Sequence, residues 1–163
     1  MPRPFTKSGF EKIQAEINRL WMEERPMVVE EVYEAAQLGD RSENAAYIYG
    51  KQRLRMIDKR LRILKAKIKD VRVVDTDTLT QQSTVQFGAL VTIENDNGDR
   101  RTLRLVDKEE IDPDNNLVSI QSPIGKALLG KEEGDCFPLT LPKQTVEYEI
   151  LQVHYGPDPQ EKV

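Results

Sequence analysis

Two long stretches of helical periodicity, separated by a short polar break, constrain the fold of this chain most strongly. Both carry apolar residues at alternating spacings of three and four, the seam along which one helix packs against another. The first seam runs through Phe10, Ile13, Ile17 and Leu20 and continues, after a small shift in phase, through Trp21, Val28, Val32 and Ala35; the shift coincides with Arg25-Pro26. The second runs through Tyr47, Leu54, Ile57, Leu61, Leu64 and Ile68, with Gly50 in its one vacant position. Because such stripes bury themselves against each other, residues 1–75 are predicted to form an antiparallel coiled-coil hairpin.

The hairpin is expected to be long and to carry one irregularity. At about 1.5 Å per residue each arm is roughly 40 Å long, so the break between the arms lies at its tip. The break contains a glycine, which suits the left-handed conformation that ends a helix, and it reads Leu38-Gly39-Asp40-Arg41-Ser42-Glu43-Asn44-Ala45. Within the first arm, Arg25-Pro26 predicts a kink or a local break, because proline removes a backbone donor.

Beyond residue 75 the apolar period changes from helical to alternating, which indicates β-strands. The run Asn95-Asp96-Asn97-Gly98-Asp99 predicts a hairpin turn, and Ser122-Pro123 suits the start of a short helix. We therefore predict a second domain over residues 76–163, a small antiparallel β domain with one short helix and a polar tail from about residue 156. The chain as a whole is predicted to belong to the α+β class.

Charge is distributed very unevenly along the chain. Residues 44–72 hold ten basic against two acidic side chains, whereas residues 76–163 hold eight basic against sixteen acidic ones. A split of this kind indicates that one part meets a polyanion and the other part meets something else. The single cysteine, Cys136, excludes a disulfide framework, and no apolar run is long enough to span a bilayer. We expect a soluble, cytoplasmic protein without a membrane partner.

The acidic pair in the break, Asp40 and Glu43, allows two interpretations. Two carboxylates close to a helix start can hold a divalent metal through hard oxygen ligands and can orient water for attack on a phosphodiester. An aspartate followed three residues later by a glutamate is also the spacing of a capping box, which satisfies free backbone amides. Two ligands make an incomplete magnesium site, so a catalytic role requires a partner that supplies the others. The spacing is compatible with both roles.

The second arm carries more positive charge than solubility requires. Its apolar seam is already used for packing, so the basic side chains lie on the other faces of the helix. They either form a solvated face or contact a phosphate backbone independently of sequence and in a salt-sensitive way. The residues that we predict to form this basic patch are Lys51, Arg53, Arg55, Lys59 and Arg62.

Several segments of the chain resemble the bacterial transcript-cleavage factors of the GreA/GreB family. The break, with its Gly-Asp-x-x-Glu-Asn-Ala pattern, is the most specific of these segments, and the resemblance covers nearly the whole chain. The other matching segments include Leu20-Trp21-Met22-Glu23-Glu24-Arg25-Pro26, Lys51-Gln52-Arg53-Leu54-Arg55, Phe87-Gly88-Ala89 and Leu128-Leu129-Gly130-Lys131-Glu132-Glu133-Gly134-Asp135. The Leu-Trp-x-Glu-Glu-Arg-Pro run and the dense basic arm are closer to the GreB branch of that family.

The resemblance implies a fold and a function. The family combines a coiled-coil hairpin with an FKBP-like β domain, and its hairpin enters the secondary channel of RNA polymerase. The β domain would grip the channel rim on the largest subunit. The factor is then not an enzyme itself, because it stimulates the polymerase to cleave the backtracked 3′ end of its own RNA and so rescues arrested complexes.

The resemblance also implies roles for individual residues. Asp40 and Glu43 match the family's tip acids, which would help to hold a Mg²⁺ ion jointly with the polymerase and to position water. The basic patch would contact the extruded 3′ end of the nascent RNA. Two positions depart from the family pattern, since Ala46 stands where an acid is frequent and Gln52 where a lysine is frequent. Neither departure removes the acidic pair.

Two other functions stay open on the sequence alone. The same hairpin would also suit a non-cleaving regulator that occupies the polymerase channel without shortening the RNA. An FKBP-like prolyl isomerase with an added coiled coil is the second alternative. The β half offers few aromatic side chains for a substrate pocket, so we expect an isomerase assay to be negative.

Overall fold

The computed structural model describes residues 2–159, which form two compact units. The hairpin unit consists of residues 10–69, and the β unit combines the described residues up to Gly9 with those from Asp70 onward. This division differs from the predicted boundary at residue 75. The reason is a short parallel pairing between strand β1 (Arg3–Thr6) and strand β2 (Val71–Val74), which places both ends of the helical segment in the β unit.

The helical segment follows the predicted pattern of two arms. The first arm contains two α-helices with a π-helical turn between them, and the second arm is a single helix: α1 (Lys7–Arg19), the π-helical turn (Leu20–Glu24), α2 (Arg25–Ala36) and α3 (Ala45–Lys67). The buried core of the hairpin unit is Ile17, Leu20, Val28, Ile57, Leu61 and Leu64. All six residues lie on the predicted seams, so the 3-4 spacing identified the packing faces correctly.

The irregularity predicted at Arg25-Pro26 takes the form of the π-helical turn. The N–H of Arg25 donates to the carbonyl of Leu20, five residues back, and Pro26 then lies in the first turn of α2. A π-helical turn accommodates one extra residue and so shifts the phase of the apolar stripe. Trp21 falls in this turn and is 52% exposed, which corrects its predicted place in the seam.

Gly50 fills the vacant seam position because the arms approach closely there. It is buried, and a Cβ atom at this position would lie 2.7 Å from Cγ2 of Val32 on α2. A branched neighbour cannot yield much at that distance. The glycine is therefore required by packing between the arms.

The β unit is built on a five-stranded mixed sheet in the order β5-β4-β3-β7-β6. Its strands are β3 (Leu90–Asn95), β4 (Arg100–Val106), β5 (Leu117–Ser119), β6 (Cys136–Thr140) and β7 (Thr145–His154). Three neighbouring pairs are antiparallel as predicted, whereas β4 and β5 run parallel. Two short 3₁₀ turns between them, Lys108–Glu110 and Pro113–Asn115, return the chain before β5 begins.

Local sequence signals of the β half are confirmed. The Asn95–Asp99 turn joins β3 to β4, and Gly98 there has a φ of +83°. Helix α4 (Pro123–Leu128) begins at Ser122, whose Oγ accepts from the N–H of Gly125 at 3.1 Å. Together with the hairpin unit, this sheet and helix confirm the predicted α+β class.

The predicted polar tail is only partly described. Gly156 is buried, and its carbonyl accepts a hydrogen bond from Nη2 of Arg104 at 3.0 Å. Residues 160–163 of the predicted tail lie outside the described residues. Within residues 2–159, no helix combines the length and the apolar character needed to cross a bilayer.

Candidate functional site

The tip of the hairpin is a tight turn organised by Asp40. Gly39 precedes it with a φ of +131°, a backbone conformation that other residues rarely adopt. Oδ1 of Asp40 accepts hydrogen bonds from the backbone N–H of Ser42 at 3.0 Å and from its hydroxyl at 2.9 Å. Aspartate commonly bonds the backbone two residues on in this manner. Asp40 therefore fixes the shape of the turn with one carboxylate oxygen.

The N-cap of α3 is Asn44. Its Oδ1 accepts from the N–H of Tyr47 at 3.1 Å, and its Nδ2 donates to the carbonyl of Ala35 at 2.6 Å. The capping-box interpretation of Asp40 and Glu43 is therefore wrong. The turn between the helices extends to Asn44, so the acids precede the cap. An asparagine directly before the helical run was the available sequence signal.

With the cap supplied by Asn44, both acids at the tip stay accessible. Asp40 and Glu43 are exposed. The hydrogen bonds from the backbone and then the hydroxyl of Ser42 hold the pKa of Asp40 below its ordinary value. Asp40 is therefore a carboxylate at neutral pH, and it is pre-oriented by the turn.

The donor set at the tip fits a magnesium ion only in part. Mg²⁺ demands a near-octahedral shell of oxygen ligands and usually takes several from water and from substrate phosphates. The tip offers two carboxylates, and the part of the chain between residues 2 and 159 contains no group of three or more metal-ligating side chains. The chemistry of these donors suits an ion whose other ligands come from elsewhere.

Four of the five predicted patch residues form one row on α3, which we call the cationic stripe. Lys51, Arg55, Lys59 and Arg62 follow one another at spacings of four, four and three, which places them on one side of a helix. The last three are exposed and Lys51 is half-buried. The row extends over about 16 Å of helix.

Arg53 is separated from the cationic stripe. It lies on another flank of α3, where its guanidinium contacts Glu31 of α2 at 3.5 Å and Glu24 of the π-helical turn at 3.8 Å. Its charge is thus used to join the two arms. The structure brings together four of the predicted patch residues and does not include Arg53 among them.

Comparisons with known proteins match both halves of the chain. The family model described as transcription elongation factor, N-terminal, matches residues 3–73, and the one described as transcription elongation factor, GreA/GreB, C-term, matches residues 80–155. The transcription elongation factor GreB of Yersinia pestis is 44% identical over 152 residues, covering 93% of this chain and 88% of that protein. The factor of the same name from Pasteurella multocida is 43% identical, and the match covers 92% of this chain and 94% of that protein. The one from Pseudomonas aeruginosa is 40% identical, and the match covers 94% of this chain and 91% of that protein. Two matching family models and relatives of this similarity place the chain in the GreA/GreB family of transcription elongation factors.

Proposed function

We propose that this chain binds RNA polymerase, inserts its hairpin into the secondary channel and stimulates the polymerase to cleave backtracked RNA. The single observation that carries the proposal is that the helix cap and the acidic side chains at the tip are different residues. Asn44 caps α3, so Asp40 and Glu43 are left exposed at the turn. Membership of a transcription elongation factor family supports polymerase as the partner.

The acids would act as part of a site completed by the polymerase. Asp40 and Glu43 would supply carboxylate oxygens to a Mg²⁺ ion in the polymerase active site, which when bound polarises the phosphodiester and activates water. Ser42 holds Asp40 in place through two hydrogen bonds. Because these bonds use Oδ1, the second oxygen of Asp40 stays available to a metal or to a water molecule.

The cationic stripe would guide the extruded 3′ segment of the RNA. Lysine and arginine neutralise phosphates without reading bases, so the contact is independent of sequence and weakens as salt rises. Exposed side chains at Arg55, Lys59 and Arg62 suit this role. Arg53, which is ion-paired with glutamates, would brace the hairpin instead.

The β unit would provide the contact with the channel rim on the largest subunit of the polymerase. The support for this assignment is the match of residues 80–155 to the C-terminal family model. The factor would itself carry out no catalysis, since its tip acids form only part of a metal site.

The proposal is tested with stalled, backtracked elongation complexes that carry RNA labelled at either end. We expect the wild-type chain to shorten the 5′-labelled RNA and release a 3′ fragment, and to leave free RNA intact when polymerase is omitted. Cleavage without polymerase would show an enzyme in its own right. Binding and inhibition without shortened RNA would show a non-cleaving regulator of the channel.

A further inference from the structure

Helix α3 carries a second row of exposed side chains, which is apolar. Tyr49, Met56 and Ile63 are 68%, 70% and 39% exposed and recur every seven residues. Seven residues make nearly two turns of helix, so these side chains lie on one side of α3. We call this row the apolar stripe.

A groove lies beside the apolar stripe within the hairpin unit. It has a volume of about 380 Å³, and Tyr49 and Met56 form part of its wall together with Leu20 and Ile57. Leu20 and Ile57 are core residues, so the groove reaches the buried seam of the hairpin. A flexible methionine at such a groove adapts to the shape of an apolar partner.

The charged residues that border this groove neutralise one another. Arg53 pairs with Glu24 and Glu31, and Arg60 forms two hydrogen bonds with Glu16 at 2.9 and 3.2 Å. The hydrogen bonds from Arg60 also lower the pKa of Glu16, which keeps this glutamate ionised. A neutral rim around apolar side chains suits a protein surface and offers little attraction to a polyanion.

The apolar and cationic stripes face different directions. Each residue of a helix is rotated by about 100° from its neighbour, so Met56 lies at least a quarter turn from Arg55 and Arg62. Of the cationic stripe, only Lys59 adjoins the apolar stripe, since it is three residues from Met56 and four from Ile63. A strand of RNA on Lys51, Arg55 and Arg62 would therefore leave Tyr49 and Met56 uncovered. The apolar stripe needs an occupant of its own.

The size of the patch argues against a stable dimer of this chain. The three exposed side chains form a patch on the order of a few hundred Å². A stable interface between two free proteins needs roughly 800 Å² on each partner. A patch of this size suits a partner that is already held by other contacts.

We propose that the apolar stripe docks against an apolar, weakly charged protein surface lining the polymerase channel, and that α3 thereby separates a protein-facing side from an RNA-facing side. This inference rests on the proposed function, since the channel supplies the partner. It adds that insertion of the hairpin is stabilised by burial of Tyr49, Met56 and Ile63.

The test uses the full chain and purified core RNA polymerase. Because all three positions are exposed and glutamine favours helix, the triple variant Tyr49→Gln/Met56→Gln/Ile63→Gln should keep its helical content and melting temperature. The single variant Met56→Gln provides the same test at one position, and Met56→Leu should restore binding. The matched control is Ile48→Gln, also on α3 and 44% exposed, but outside the apolar stripe.

We expect the triple variant to bind polymerase at least about tenfold more weakly than wild type and Met56→Gln to bind about threefold more weakly. Ile48→Gln should stay within about twofold of wild type. At saturating factor, RNA cleavage by the triple variant should equal that by wild type, because the tip is unchanged. The slope of affinity against salt should also be unchanged.

Several outcomes would overturn the inference. The first is a loss of polymerase affinity below about twofold in the triple variant. The second is a loss of affinity in Ile48→Gln as large as that in the triple variant. The third is reduced RNA crosslinking by the triple variant with normal polymerase binding. A wild-type dimer in sedimentation that the triple variant abolishes would assign the stripe to a second copy. Failure of the wild-type chain to bind polymerase would instead refute the proposed function, so the two failures are distinguishable.

Discussion

The side-chain amide of Asn44 donates to the backbone carbonyl of Ala35 at 2.6 Å and so joins the start of α3 to the last turn of α2. The same side chain caps α3 through the N–H of Tyr47. One residue thus closes the hairpin and begins its second arm. The neighbouring acids, Asp40 and Glu43, therefore do not cap α3.

Replacement of Asn44 tests this double role. We expect Asn44→Ala to lower the free energy of unfolding of the hairpin by about 1–2 kcal/mol, because it removes the cap and leaves the carbonyl of Ala35 without this donor. Asn44→Asp keeps the cap acceptor and loses only the donor, so its effect should be smaller. Amide hydrogen exchange at Tyr47 and thermal melting measure the loss of stability in both variants. Gln52→Ala, at an exposed position of α3, is the control, and an equal loss in this variant would refute the assignment.

The pKa of Asp40 should depend on Ser42. The backbone N–H of residue 42 is the larger cause of the lowered pKa and the hydroxyl the second, so Ser42→Ala should raise the pKa only part of the way to its ordinary value. An NMR titration of the Asp40 carboxylate carbon measures the shift. A pKa unchanged by Ser42→Ala would show that the hydroxyl does not bond Asp40 in solution.

The pKa of Glu110 in the β unit is raised by burial, whereas the pKa of Asp40 is lowered by hydrogen bonds. Burial raises the pKa of Glu110 above 4.5, against hydrogen bonds donated by the N–H and the hydroxyl of Thr6 and by the N–H of Asp107. A carboxyl whose pKa is higher in the folded state contributes most stability below its unfolded pKa. That contribution is lost as pH rises through the folded pKa.

The pH dependence of stability tests the environment of Glu110. In wild type, the contribution of this residue should fall as pH rises from 4.5. Glu110→Gln should flatten that part of the stability curve, since glutamine is uncharged and retains an oxygen acceptor. Thermal melting across this pH range gives the result. The exposed Glu147→Gln on β7 should leave the curve unchanged, and a curve unaltered by Glu110→Gln would contradict the account.

Arg53 and Arg55 should behave differently although they are two residues apart. Arg55→Ala removes one phosphate contact, so crosslinking to the RNA 3′ segment should weaken. The slope of log affinity for RNA against log salt concentration should become shallower by about 1. Arg53→Ala should leave that slope unchanged and lower the stability of the hairpin by about 0.5 kcal/mol, because its ion pairs are partly exposed. Equal salt slopes for the two variants would contradict the division of the patch.

The sequence predicted the elements whose packing is periodic. The 3-4 spacing identified core residues such as Ile17, Leu61 and Leu64, because a long two-helix seam leaves few alternatives. The shift in phase near Arg25-Pro26 is visible in the sequence, but the π-helical turn begins already at Leu20, so Trp21 lies in the turn and not in the seam. The parallel pairing of β5 with β4 departs from the predicted antiparallel arrangement, because it depends on the path of the intervening turns.

The candidate site was predicted in composition and only partly in arrangement. The position of Asp40 and Glu43 in the break predicts both acids, but their spacing is also that of a capping box and leaves their role open between a cap and a metal site. The turn is longer than that pattern requires, so the cap falls on Asn44. Arg53 was grouped with the patch because net charge does not record which cations face glutamates on the other arm.

The most direct test of the central claim is the rate of RNA cleavage in a backtracked elongation complex with Asp40→Asn. Asparagine keeps the oxygen that accepts from Ser42 and removes the charge, so the turn is preserved. We expect stimulated cleavage to fall by about 100-fold or more, with polymerase binding within about twofold of wild type. Glu30→Gln, an exposed acid of α2, should cleave normally. Wild-type cleavage by Asp40→Asn would contradict the claim that this tip acid takes part in the reaction.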